Sequence, residues 1–141
     1  MPTEWRPILI VEDDARDIDL IEIAFERLGV ANDRYIVRDG EEALQFLRYE
    51  GFFANRPRAE PTLILLDLKM PRLTGIELLQ EIRRDSALRN LRVAIFSSSN
   101  EAVNVAVAHA SGIEAFVVKP TVFNDVTASI ASLGRFFAFD D

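Results

Sequence analysis

Cysteine is absent from this chain, and among its 141 residues histidine and tryptophan occur once each. Without thiols there is no disulfide framework and no thiolate metal site, which suits a cytoplasmic setting. Long apolar runs are also missing. No window approaches the roughly 18 consecutive apolar residues of a membrane span, and the start, "MPTEWRPILIVEDD", has only four such residues together before acids intervene, too few for a secretion signal. Positive charge is in deficit. Lys and Arg number 16 against 23 Asp and Glu, giving a net charge of −7 and a pI near 4.8. That balance disfavours a surface coating nucleic acid or lying on an anionic membrane. There is no internal repeat and no low-complexity tract. What remains is a soluble protein of one domain, residues 1–141, since domains run to about 100–200 residues.

Two hydrophobic periods alternate along the chain. "ILIV" (8–11), "LILL" (63–66), "VAIF" (93–96) and "AFVV" (115–118) are continuous apolar runs, as expected of strands covered on both faces of a parallel sheet; "RYIV" (34–37) is a weaker fifth. Helical spacing fills the gaps. Ile18, Ile21, Phe25 and Leu28 share a face that Gly29 terminates, and Ala43, Leu44 and Leu47 make a shorter one. Thr74 and Glu77 have capping-box spacing before Ile76, Leu79 and Ile82; Ser98 and Glu101 repeat it before a Val/Ala-rich helix ending at Gly112. Phe123, Val126, Ile130, Leu133 and Phe137 form the last stripe. Five strand–helix units predict an α/β fold: a doubly wound, five-stranded parallel sheet with five helices. The one long connection, "YEGFFANRPRAEP" (49–61), reads as a surface loop whose Phe52 and Phe53 fold back on the core.

Such a sheet delivers the residues that follow its strands to one edge, where ligands bind. Here those residues are Glu12-Asp13-Asp14 after the first strand, Asp67 after the third, Ser97-Ser98-Ser99 after the fourth and Lys119-Pro120 after the fifth. Carboxylates brought close repel one another and hold their protons more tightly, a conflict that a hard divalent cation relieves. Oxygen ligands without nearby His or Cys favour Mg²⁺ over zinc. A lysine and a hydroxyl added to that group would neutralise and hydrogen-bond a phosphoryl group. A carboxylate is itself a competent nucleophile for phosphoryl transfer. Asp67 stands alone on the central strand, whereas Glu12 and Asp13 come as a metal-binding pair, so Asp67 is the candidate. Asp14 reads as the cap of the first helix, and His109 as an ordinary helix-surface residue. Singly, a strand-end Asp is most often a turn or cap and a Lys-Pro most often a loop; it is the coincidence at four strand ends that points to chemistry.

The motifs "ILIVEDD", "LILLDLKMPRLTG", "FSSS" and "FVVKP" together resemble the response regulator receiver domain, the CheY-like form of the flavodoxin-like fold, over about residues 7 to 135. The resemblance implies that Asp67 accepts phosphate from a phosphohistidine on a sensor histidine kinase or a histidine phosphotransfer protein. It implies Mg²⁺ held by Asp13, Asp67 and the Lys69 main-chain carbonyl, with Glu12 acting through water. Ser97 would be the switch hydroxyl and Lys119 the phosphate-pairing cation, before a Pro120 whose peptide bond is cis in relatives. Phe116 would be the aromatic that swings inward. Ser97 stands where Thr is commoner, losing a methyl that restricts χ1, and Phe116 where Tyr is frequent.

The long loop, "RRDSALRNLRV" and the Phe-rich end resemble stand-alone regulators of phytochrome-type histidine kinases, with no DNA-binding or enzymatic output domain expected after the fifth helix. The expected role is signalling and not enzymatic. A phosphohydrolase would need a second carboxylate two residues after Asp67, where Lys69 stands. The remaining alternative, a docking module working without phosphorylation, has no use for the complete set Glu12, Asp13, Asp67, Ser97 and Lys119. Within the tail 134–141, Phe137 is expected to complete the core stripe, leaving Phe136 and Phe139 on an outward face. Such a pair at a chain end is either frayed or an anchor; as an anchor, with the surface from the fourth helix to the fifth strand, it would meet a second copy in a homodimer, as the resemblance to stand-alone regulators implies.

Overall fold

A computed structural model describes residues 5–98, 100–121 and 123–140, with Phe123 and Asn124 described in the backbone alone. Ser99 of the serine run and the Phe123 side chain of the last stripe lie outside the described residues. The elements follow in strict alternation: β1 (Ile8–Val11), α1 (Ala15–Leu28), β2 (Arg34–Val37), α2 (Gly40–Arg48), β3 (Leu63–Leu66), α3 (Gly75–Arg84), β4 (Val93–Ser97), α4 (Ala102–Ala110), β5 (Ala115–Val118) and α5 (Phe123–Ala131). The five strands are parallel in the order β2-β1-β3-β4-β5. The chain therefore winds outward in both directions from the β1/β3 pair, and the switch in strand order lies between them.

Alternate residues of each central strand feed opposite layers. Leu9, Val11, Ile64, Leu66, Val93 and Ile95 pack with Phe46 and Leu47 of α2 and Leu78, Leu79 and Ile82 of α3. Ile8, Ile10, Leu63, Leu65, Ala94 and Phe96 pack with Ile21 and Phe25 of α1 and Val126 and Ile130 of α5. This double cover is why β1, β3 and residues 93–96 of β4 are apolar throughout. β5 departs from that expectation. As an edge strand with β4 as its single neighbour it is half-buried, and Val118 is 46% exposed.

Helix ends follow local chemistry. The Asp14 side chain accepts from the amides of Arg16 and Asp17 to start α1, and Gly29 ends it in the left-handed region at φ 70°. The Thr74/Glu77 capping box forms at α3. The repeat of that spacing at Ser98/Glu101 does not cap α4: the helix begins three residues later than a Ser98 cap requires, and Glu101 occupies the flanking position without a side-chain hydrogen bond.

Two aromatic expectations are corrected. In the 49–61 loop Phe53 does fold back, edge-on to Phe46 at 5.2 Å, but Phe52 is 92% exposed. The loop is organised instead by Arg56, whose guanidinium lies 3.7 Å from the Phe46 ring and 3.9 Å from Tyr49, and which donates to the carbonyls of Phe46, Pro57 and Ala59. At the C-terminus the helix stops at Ala131, so its 3.6-residue period no longer applies. A 3₁₀ turn (134–136) and an extended segment follow, burying Phe136 as well as Phe137. The Thr62 hydroxyl donates to the Phe136 carbonyl, the Ala138 amide to Asn32 Oδ1, and Phe139 bridges antiparallel to Val30. The tail is thus a strap across the amino-terminal end of the sheet and not an outward face; Phe139 alone of the three keeps substantial exposure.

The strap's weight falls on Phe137, which meets Phe25 edge-on at 5.4 Å. Phe137→Ala is expected to lower unfolding stability by about 3–5 kcal/mol in urea denaturation, and Phe139→Ala by less than about 1 kcal/mol. Similar losses for the two would show that the tail is held by something other than the Phe137 socket.

Candidate functional site

The carboxyl edge of the sheet is assembled by the backbone ladder itself. The Glu12 amide donates to the Val37 carbonyl, the Asp67 amide to Val11 and the Lys119 amide to Ser97, so the residue after each strand is held in register with its neighbour. Glu12, Asp67 and Ser97 are buried, at 1%, 5% and 0% exposure. Asp13 is exposed. Ligand oxygens of Glu12, Asp13 and Asp67 lie within 4.8 Å of one another. The structure therefore unites the strand-end residues expected from sequence.

One ammonium holds this edge together. Lys119 Nζ donates to Glu12 Oε1 at 2.6 Å, Asp17 Oδ2 at 2.7 Å and Asp67 Oδ2 at 3.3 Å. Burial alone would lower the Lys119 pKa, but the hydrogen bonds to Asp17 and Glu12 and the charge of Asp67 raise it above its ordinary value. Glu12 moves the other way for a carboxylate: burial, seconded by the nearby Asp67 charge and opposed by the Lys119 hydrogen bond, pushes it up to about 7.

Asp17 was not singled out in the sequence. It sits in the first turn of α1, and helical side chains lean back toward the helix start. A carboxylate three residues after the Asp14 cap is thereby aimed at the strand ends, the signal by which it could have been found. Gly75 is the second omission. A Cβ there would come within 2.2 Å of the Asp67 carbonyl oxygen and 2.6 Å of Leu68 Cα, while the Gly75 amide donates to the Leu68 carbonyl. A side chain at the start of α3 would push directly on the backbone that carries Asp67.

The remaining predicted residues are placed as follows. The Lys69 amide donates to Asp67 Oδ1 at 3.4 Å, so its peptide adjoins the carboxylate cluster. Phe116 is half-buried, its ring 6.3 Å from exposed His109. No cis peptide bond occurs among the described residues, so the Lys119–Pro120 bond is trans, the isomer that X–Pro bonds prefer by about 0.5–1 kcal/mol. An open groove lined by Asp13, Lys69, Met70, Thr74 and Asn104 leads to the carboxylates from solvent. Close-set oxygen donors, one of them exposed, fit a hard divalent ion that keeps some of its water.

A doubly wound parallel sheet in the order β2-β1-β3-β4-β5, with an acidic cluster and a lysine at its carboxyl edge, defines a flavodoxin-like α/β module of the receiver type. The chain matches the response regulator receiver domain model over residues 8–131, and it belongs to that family. It is similar to the bacteriophytochrome response regulator RtBRR, with 44% identity and a TM-score of 0.81 over 96% of this chain and 81% of that one. It is similar also to the phosphorylated cyanobacterial phytochrome response regulator RcpA, with 33% identity and a TM-score of 0.84 over 93% and 92%. A third likeness is to Rcp1 of Synechocystis, solved in a Mn²⁺-bound form, with 29% identity and a TM-score of 0.83 over 92% of each chain. The protein is a two-component response regulator, a class of signalling module that binds a divalent metal ion and works with a histidine kinase. Among the described residues no helix is long and apolar enough to cross a membrane.

The raised Glu12 pKa has two consequences of fixed sign. Between about 4.5 and 7 the folded protein holds a proton that the unfolded chain has released, so this group's contribution to stability falls as pH rises through that window. A cation binding beside Glu12 must displace the same proton. Calorimetric titration with Mg²⁺ is therefore expected to show binding about tenfold weaker at pH 5.5 than at pH 8, with proton release; equal affinity at the two values would refute the Glu12 assignment. Gly75→Ala is expected to cost about 1–3 kcal/mol of stability and to weaken the same Mg²⁺ titration, whereas an unchanged titration would separate α3 from the site.

Proposed function

We propose that this protein is a single-domain response regulator that accepts a phosphoryl group on Asp67 from a phosphohistidine and converts the event into a change of its α4–β5 surface. The observation that carries the reading is Asp67 itself: a nearly buried carboxylate within 4.8 Å of Glu12 and Asp13 and 3.3 Å from the Lys119 ammonium. A nucleophilic carboxylate needs its charge balanced without being quenched, and that is what a metal site on one side and an ammonium on the other supply.

In the transfer, a carboxylate oxygen of Asp67 attacks phosphorus. The new O–P bond forms as the P–N bond to the donor imidazole breaks, and the ring nitrogen keeps the electron pair and takes a proton from solvent. Mg²⁺, when bound, neutralises the phosphoryl oxygens. Asp13, Asp67 and the Lys69 carbonyl would hold it, with Glu12 reached through water. Lys119 donates to one phosphoryl oxygen and the Ser97 hydroxyl to another. Both groups end strands that flank α4, so a change at either is felt there, and Phe116 in β5 turns inward as the surface rearranges.

A phytochrome-type histidine kinase is the partner favoured by the likeness to RtBRR and RcpA, and the compartment is the cytoplasm. The surface available to switch is apolar: Val103 on α4 is 73% exposed and Val118 on β5 46%. A second copy of the chain is its proposed partner there, as a homodimer without the buried Phe136.

Asp67→Asn tests the central step. With a small phosphodonor and Mg²⁺, the wild-type chain is expected to gain acid-labile phosphate and the variant none, both remaining folded by circular dichroism. Equal incorporation would move the phosphoacceptor elsewhere.

A further inference from the structure

Lys119 has three N–H donors, and the structure engages all of them with carboxylates. Two of these, Glu12 and Asp67, belong to the cluster whose ligand oxygens lie within 4.8 Å; the third, Asp17, does not belong to it. Yet the Asp17 bond, at 2.7 Å, is among the two short ones, while the bond to the phosphoacceptor is the longest at 3.3 Å. Asp17 comes from α1, an element outside the strand ends, and its carboxylate is about 30% exposed.

We infer that Asp17 is a positioning residue that restrains Lys119 and competes with the phosphoryl group for it, limiting how tightly the phosphorylated site is held. The inference rests on the phosphoacceptor reading of Asp67. A cation drawn to Glu12 and Asp13 takes up their charge but leaves Asp17 free of metal, so Asp17 keeps its hold on Lys119 in the loaded site. A phosphoryl oxygen arriving on Asp67 finds the ammonium already shared, and it also faces an additional nearby negative charge. Replacing Asp17 by Asn removes that charge and leaves a neutral oxygen of the same shape, freeing Lys119 to turn toward the phosphoryl group.

The test is the affinity of Mg²⁺-saturated protein for beryllofluoride, a stand-in for the phosphoryl group, followed by NMR shifts. Asp17→Asn is expected to bind it about three- to tenfold more tightly than wild type, the scale of one partly exposed charge pair. Asp17→Glu, which retains the charge, is expected to match wild type, as is Asp19→Asn, which takes the same charge from an exposed position on α1 outside the Lys119 bonds. Tightening cannot arise from a damaged fold, so its sign separates restraint from a merely structural role. Unchanged or weaker binding by Asp17→Asn overturns the inference, and so does equal tightening by Asp19→Asn or Asp17→Glu. Wild-type protein that binds no beryllofluoride, and takes no phosphate on Asp67, would overturn the phosphoacceptor reading and this inference together.

Discussion

Four carboxylates and one ammonium share the carboxyl edge of the sheet, and everything at that edge depends on how the ammonium is divided. Glu12 and Asp67 are almost wholly buried. Left unpaired, charges at such depth would be costly to desolvate. Lys119 reaches them from β5, the strand farthest from β1 on that side, and so joins one edge strand to the centre of the sheet and to α1. The balance is deliberately incomplete in electrostatic terms: the acids outnumber the base, Glu12 is pushed up to about 7, and a divalent ion is the natural complement. The site is stable enough to form and under-neutralised enough to take a ligand.

This arrangement is possible because backbone approach is unusually close. The first turn of α3 touches the peptide after β3, with no room at Gly75 for a Cβ. Parallel register then does the rest, since residues following aligned strands cannot avoid meeting. Packing and function are thus not separable here. The same ladder that buries Leu66 and Val11 delivers Asp67 and Glu12.

The central strands were legible in the sequence because cover on both faces forces uninterrupted apolar runs, a signal independent of tertiary detail. The four strand ends were legible for the same reason, as they follow those runs directly. Where the reading failed, a local rule was extended past its domain. Phe136 was assigned an outward face by continuing the period of α5 through Gly134, whereas the chain leaves the helix at Ala131 and turns back under the sheet. Ser98 and Glu101 have capping-box spacing, but α4 starts beyond Ser98. Phe52 and Phe53 meet edge-on at 5.2 Å, but only Phe53 reaches the core at Phe46, which leaves Phe52 in water. Asp17 lies outside the strand ends, and its signal is the weaker one of a carboxylate three residues after a helix cap, whose target depends on where α1 enters the sheet edge.

α4 lies between the acidic edge, where β4 ends, and an exposed surface. Its sequence, Ala and Val on nearly every side, gives it no polar face to mark solvent, yet Ala108 is its one buried residue. It lacks a side-chain cap at its start, and the Arg83 side chain holds the turn after it by donating to the carbonyls of Ser111 and Gly112. A helix fixed at its end and loosely seated along its length has little packing to lose when it shifts, because few buried contacts oppose local rearrangement. It also follows β4, whose last residue, Ser97, is fully buried at the acidic edge. Weak anchoring of α4 is therefore not a defect of packing. Under the proposed function it is the property by which a change of charge at Asp67, small against the energy of the core, would be large against the energy holding α4 in place.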